Sequence, residues 1–159
     1  MNYLGYILKF DHFDRDIMQA LQENGDYSMA ELGEIVGLSH TPCWRRVKRL
    51  QAEGVIKGNV TLLDPNKLDL SVTVYTYITV KSHAEDSLNS FETAVQNVKE
   101  IVQCHSTSGD KDYILRVLVS SVSDYEKLLK KTLVHLPNVA SAFSTFALKQ
   151  VKNTTQLPI

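Results

Sequence analysis

The hydrophobic period changes once along this chain, near Leu70, and that change limits what it can fold into. Upstream, Phe13, Ile17, Ala20 and Leu21, then Leu32, Ile35 and Val36, recur at helical spacing. Downstream, Ser71–Val80 alternates Val72, Val74, Thr76, Ile78 and Val80 against Thr73, Tyr75, Tyr77 and Thr79. That run of β-branched and aromatic residues is a strand. A helical domain followed by one built on a sheet is the expected arrangement, with the boundary near 63–70.

Turn residues place the helices. Gly25 predicts the end of the first helix as a C′ glycine. Ser28 and Glu31 have the spacing of a capping box, so a second helix opens there and ends at Gly37. Ser39 is the N-cap of a third, Pro42 lies in its first turn where no N–H is needed, and Gly54 ends it. "VIKGNVTLLDP" then leads out in extended form. Past Val80, the spacing of Leu88, Phe91, Val95 and Val98 predicts a helix. "EIVQCHSTS" and "DYILRVLVS" are strands joined through Gly109, Asp110 and Lys111. "SDYEKLLKKTLVHL" is a helix stopped by Pro137, and "VASAFSTFAL" is the last strand. The order β-α-β-β-α-β is the ferredoxin-like arrangement. Helices on one face of such a sheet leave the other face open, and burial against a second copy of the chain is expected there.

Charge is distributed unevenly. The chain has 17 basic and 18 acidic residues, yet Arg45, Arg46, Lys48 and Arg49 fall within five positions. Acids collect instead in the preceding segment, at Asp11, Asp14, Asp16, Glu23, Asp26, Glu31 and Glu34. On a helix, Cys43, Val47 and Leu50 lie within about 60° of one another, while Thr41, Arg45, Lys48 and Arg49 point to the opposite side with Trp44 at the edge. Ser39, His40 and Thr41 stand at the N-terminus, where backbone N–H groups favour phosphate. This layout matches the second helix of a helix-turn-helix, with N-terminal residues toward base edges and cations toward the DNA backbone. The plainer alternatives are a solvated helix face, a Trp44 that caps the domain's apolar edge, and an exposed His40 with no role.

Other classes find less support. The five histidines are scattered, and neighbouring Cys104 and His105 on a strand point to opposite faces. No metal-ligand spacing, P-loop or dinucleotide fingerprint occurs, so neither catalysis nor a cofactor is expected. No apolar run approaches the ~20 residues that span a bilayer. The opening "MNYLGYILKF" lacks a cationic leader and a cleavage site, so a cytoplasmic protein with reduced, buried and inert Cys43 and Cys104 is expected. Two rival binding classes stay open: a metabolite-sensing module whose helices contact protein, and an effector-independent architectural protein that wraps DNA.

The stretch "FDRDIMQALQENGDYSMAELGEIVGLSHTPCWRRVKRLQAEGVIKGNVTLLDP" resembles the DNA-binding half of the Lrp/AsnC (leucine-responsive, feast/famine) transcriptional regulators. The resemblance lies in the D-x-x-I-x-x-x-L-Q opening, the G-L-S-x-T-P-C helix start, the R-V-x-R-L run and the G-V-I-x-G exit. "SGDKDYILRV" and "LPNV" carry it into the second half, so it covers about Phe13 to Pro158. "TPCWRRVKRL" and "FALKQVKNTTQLP" look most like a branch linked to cysteine sensing, whereas "MNYLGYILKFDH" is longer than the family's usual lead.

The resemblance implies an α+β protein: a winged helix-turn-helix over 1–60, a hinge strand over 61–70, and a ligand-binding ferredoxin-like αβ-sandwich over 71–159 that pairs through its sheets and assembles into octamers. Double-stranded DNA is the implied partner, met by Ser28, Ser39, His40, Thr41, Pro42, Trp44, Arg45, Arg46, Lys48 and Arg49. An amino-acid effector, cysteine or leucine first, is implied at the dimer interface on Thr107, Ser108, Gly109, Asp110, Asp112 and Tyr113. The chemistry of that loop is suitable. N–H groups around Gly109 can receive a carboxylate, and Asp110 or Asp112 can accept from an ammonium, though a plain turn would use the same residues. On this reading Asp112→Ala leaves folding intact and abolishes the effector response.

Overall fold

A computed structural model describes residues 10–159, so most of the long lead into the first helix lies outside the described residues. Three helices come first: α1 (His12–Glu23), α2 (Met29–Val36) and α3 (His40–Ala52). Two of them open on reciprocal capping boxes, Asp11 with Asp14 on α1 and Ser28 with Glu31 on α2. Each box satisfies two of the backbone donors that a helix start leaves unpaired. The end of α1 differs from expectation. Asn24, in extended conformation, is the C-cap, and its side-chain carbonyl accepts the Asp26 N–H at 3.0 Å. This Asx turn reverses the chain without a left-handed Gly25.

At the end of α2 the left-handed residue is Gly37, with φ 72°. Gly33 is needed for a different reason: a Cβ there would lie 2.6 Å from the Leu38 carbonyl oxygen, where the turn between α2 and α3 closes. Cys43, Val47 and Leu50 of α3 pack with Ile17, Leu32 and Val36, as the helical spacing predicts, while Ile35 stays 53% exposed. Beyond α3, residues 57–64 form neither helix nor β-ladder. The hinge strand expected over 61–70 is not formed. A 3-10 turn at Pro65–Leu68 takes its place, because Asp64 caps it by accepting the Asn66 N–H and Pro65 has no N–H to give a ladder.

The second part has the expected order: β1 (Val72–Val80), α4 (Glu85–Gln96), β2 (Ile101–Ser106), β3 (Tyr113–Val119), α5 (Val122–Lys131) and β4 (Val139–Phe146). The strands form one antiparallel sheet in the order β2-β3-β1-β4. One face packs Val74, Ile78, Leu115 and Val117 against Phe91, Val95, Tyr125 and Leu133. The single long helix expected before Pro137 breaks at Thr132, φ −127°, and a short 3-10 turn over Leu133–His135 continues it. That break turns Leu133 and Leu136 into the core.

Buried Thr76 is paired: its hydroxyl bonds the Tyr125 hydroxyl at 2.7 Å, and Tyr125 in turn bonds Ser144. The pairing avoids the cost of a buried, unsatisfied polar group. Burial raises the thiol pKa of both Cys43 and Cys104, which leaves them poor nucleophiles.

By contacts the chain divides into two units. The second is Leu63–Val151, and the first runs to Leu62 and also takes in Lys152–Ile159. The sequence boundary at 71–159 places that tail in the second domain. It joins the first because the Gln22 side chain grips the Leu157 main chain, Nε2 donating to the carbonyl at 3.3 Å and Oε1 accepting the N–H.

Candidate nucleic-acid interface and ligand loop

The four cations of α3 separate into two pairs. Arg46 Nη1 donates to Asp11 Oδ1 and Asp14 Oδ1, each at 2.8 Å, and the Arg46 guanidinium lies 5.3 Å from the Phe13 ring centroid. Arg49 Nη2 reaches Asp14 Oδ2 at 2.6 Å and faces Glu53 at 3.9 Å. Asp14 is 1% exposed, so both arginines tie α3 to the N-terminus of α1 through a carboxylate enclosed by protein. Its hydrogen bond strengthens the hold of Arg46 on its proton, while the Asp14 backbone N–H, then Arg46, keep the Asp11 carboxyl below the usual range. Much of the charge of Arg46 and Arg49 is thus used inside the unit, although Arg49 stays 45% exposed.

Arg45 and Lys48 are exposed and form no ion pair among the described residues. Ser39, His40, Thr41 and Trp44 are exposed beside them, and Pro42 is half-buried. Ser39 has N-cap geometry, φ −70° and ψ 160°, yet its hydroxyl makes no capping bond, unlike the side chains that open α1 and α2. The first N–H groups of α3 therefore keep their capacity for an anion. A cleft of about 360 Å3 at this end of α3 is lined by Asp11, Leu38, Pro42, Arg45, Arg46 and Arg49. Ser28 lies apart from that cluster, its hydroxyl accepting the Glu31 N–H of its own helix.

The loop between β2 and β3 divides its residues as well. Ser108, Gly109 and Asp110 form an exposed tip, with Gly109 at φ 126°. Thr107 closes the base: its N–H donates to the Asp112 carbonyl at 2.9 Å and its hydroxyl to the Lys111 carbonyl at 2.5 Å. Asp112 Oδ2 accepts the Val80 N–H at 2.8 Å, and Oδ1 pairs with His83 Nε2 at 2.7 Å. The Val80 N–H first, then His83, hold this carboxyl below its ordinary range. Tyr113 points to the helical side of the sheet, 4.6 Å ring to ring from Phe91, and its hydroxyl donates to Glu92. Burial and Glu92 push its pKa up to about 12. Of the six loop residues expected to meet an effector, Tyr113 belongs to the core and Asp112 is already bonded.

The expectation that Asp112→Ala leaves folding intact needs revision. The substitution leaves the Val80 N–H without its acceptor, while the exposed His83 ring regains water, and a loss of about 1 kcal/mol in the second unit is expected in chemical denaturation at pH 7. Because the folded carboxyl lies below its unfolded value, this contribution is complete above the ordinary aspartate range and disappears as acid protonates the folded group. The gap between variant and parent therefore closes in acid.

Sequence reasoning missed Asp14, Asp11 and His83. The acidic partners of Arg46 lie 32 and 35 residues away, and no local pattern joins them. Among the described residues no three His, Cys, Asp or Glu side chains gather in a way that could hold a metal ion.

Residues 73–157 match the family described as the Lrp/AsnC ligand binding domain, and residues 10–57 match a winged helix-turn-helix DNA-binding family. The chain is 44% identical to the leucine-responsive regulatory protein of Escherichia coli K12, over 94% of this chain and 91% of that protein. The crystal structure of an AsnC family transcriptional regulator from Agrobacterium tumefaciens superposes with a TM-score of 0.89 at 40% identity, over 94% of this chain and 97% of that one. A transcriptional regulator from Neisseria meningitidis, solved as a complex with L-Met, gives 0.90 at 33% identity with the same coverage of both chains. With both parts matched in sequence and fold, the chain belongs to the Lrp/AsnC family of transcriptional regulators, DNA-binding proteins that join a winged helix-turn-helix to an amino-acid ligand domain.

Proposed function

We propose that this regulator reads double-stranded DNA in the cytoplasm with α3 and that an amino acid at the β2–β3 loop tunes its hold. The observation that carries the DNA reading is the division of charge on α3. Arg45 and Lys48 are exposed for phosphates, while Ser39, His40 and Thr41 surround an uncapped helix start. Arg49, 45% exposed, lends one side of its guanidinium to the same backbone. Trp44 and Pro42 pack along the groove wall. Arg46 and Ser28 support the fold behind the contact.

For the effector, Ser108, Gly109 and Asp110 offer backbone donors and a free carboxylate at an exposed tip, with Thr107 and Asp112 shaping the loop. A free amino acid needs a second wall, and a second copy meeting this one through the open sheet face supplies it. Further assembly to octamers then sets how many DNA sites are held together. One similar protein is named leucine-responsive and another was solved with L-Met, which places leucine and methionine beside cysteine as the first ligands to test.

Titration calorimetry against the common amino acids, followed by DNA binding with and without the best ligand, tests this reading. Binding by at least one amino acid is expected, with a change in DNA affinity. By linkage, DNA must change the ligand's affinity by the same factor. DNA binding indifferent to every amino acid would favour an architectural, DNA-wrapping role.

A further inference from the structure

The sheet face away from the helices carries a cation, Arg116, that has no hydrogen-bond or ion-pair partner among the described residues. Arg116 stands on β3 between Gln103 of β2 and Tyr75 of β1, with Thr145 of β4 completing the row. The next row is His105, Ile114, Tyr77 and Phe143. Tyr75, Tyr77, Ile114 and Leu118 are half-buried, while Phe143 is 60% exposed. Among the described residues, Arg116 Nε is the one buried side-chain nitrogen or oxygen without a hydrogen-bond partner. The registers bring no carboxylate onto this face.

An unpaired guanidinium in an aromatic surface is costly once that surface is covered, unless the covering group accepts its hydrogen bonds. A face evolved for an acidic partner needs only the cation. This face also carries neutral acceptors, the tyrosine hydroxyls and rings and the Gln103 amide. A two-fold interface requires donor and acceptor on one patch, since each copy presents the same residues to the other.

We propose that Arg116 is the recognition residue of self-association, donating to the uncharged acceptors around Tyr75, Tyr77 and Gln103 of a second copy. The inference rests on the reading that the open sheet face is where copies meet. It adds that the contact is polar at its centre and that its strength depends on one guanidinium. Aromatic rings opposite it add a cation–π attraction.

Sedimentation equilibrium of the full chain tests this with wild type, Arg116→Met and Arg116→Lys. The methionine variant keeps the apolar bulk and removes every donor. Its dimer dissociation constant is expected to rise about thirtyfold, with circular dichroism unchanged because the side chain lies outside the helix-covered core. The lysine variant keeps the charge without the planar fork, and a rise of about fivefold is expected. It carries the test by itself if the methionine variant is unstable. A wild-type dimer matched or exceeded in strength by these variants would overturn the role of Arg116 and leave the dimer reading intact. A monomeric wild type would remove both. A dimer strengthened by added chloride in wild type but not in Arg116→Met would put a small anion on the guanidinium, against the proposal.

Discussion

Asp14→Ala is expected to lower the unfolding free energy of the helical unit by about 3 kcal/mol, the largest single-residue loss outside the apolar core. Three groups lose a contact together: the Asp11 N–H is left without an acceptor, Arg46 keeps only Asp11, and Arg49 keeps only the distant Glu53 at 3.9 Å. Removing one side of a buried ion pair costs about 3–5 kcal/mol. The lower end applies because Arg46 and Arg49 are 25% and 45% exposed and regain water when released. Asp14→Asn keeps the shape and one acceptor, so its loss should be about half. Urea unfolding followed by the fluorescence of Trp44, the chain's one tryptophan, reports this unit directly. A midpoint in Asp14→Ala equal to wild type would mean that the arginines do not depend on this carboxylate.

Arg45→Ala and Lys48→Ala should each weaken binding to every duplex by about tenfold at moderate salt while leaving that midpoint in place. Both side chains are exposed and tied to nothing among the described residues, so the whole effect falls on the phosphates. Arg46→Ala should show the reverse profile, a lower midpoint with DNA affinity recovered once the protein is held folded at low temperature. Substituting Ser39 or Thr41 should shift sequence preference more than overall affinity, because the proposed docking of α3 turns these positions toward base edges. Binding measured by fluorescence anisotropy on a specific and a random duplex separates the three behaviours.

Much of this architecture is readable from local pattern. The capping box at Ser28 and Glu31, the apolar face of α3 and the alternation of β1 are period and spacing effects within a few residues, and they appear where expected. The errors arise where distant groups compete. Gly25 is the natural helix stop by sequence, but the Asn24 side chain accepts the Asp26 N–H and ends the helix one residue earlier. A hinge strand was expected over 61–70, but Asp64 and Pro65 favoured a tight turn. The helical angle places Arg49 outward, and nothing local shows that acids on another helix hold both it and Arg46. Tyr113 is a different case. The run Tyr113, Leu115, Val117 and Val119 alternates, so its inward direction was available from parity alone, and that parity also places Arg116 on the opposite face.

The salt dependence of DNA binding tests the central claim most directly. The logarithm of affinity should fall linearly with the logarithm of salt concentration, and the slope should become shallower by about 0.9 for each phosphate contact removed. Wild type should give a steep negative slope, and the double variant Arg45→Ala with Lys48→Ala a slope shallower by about two units for each chain engaged. An identical slope in the two proteins would show that α3 does not present these cations to DNA, contradicting the assignment.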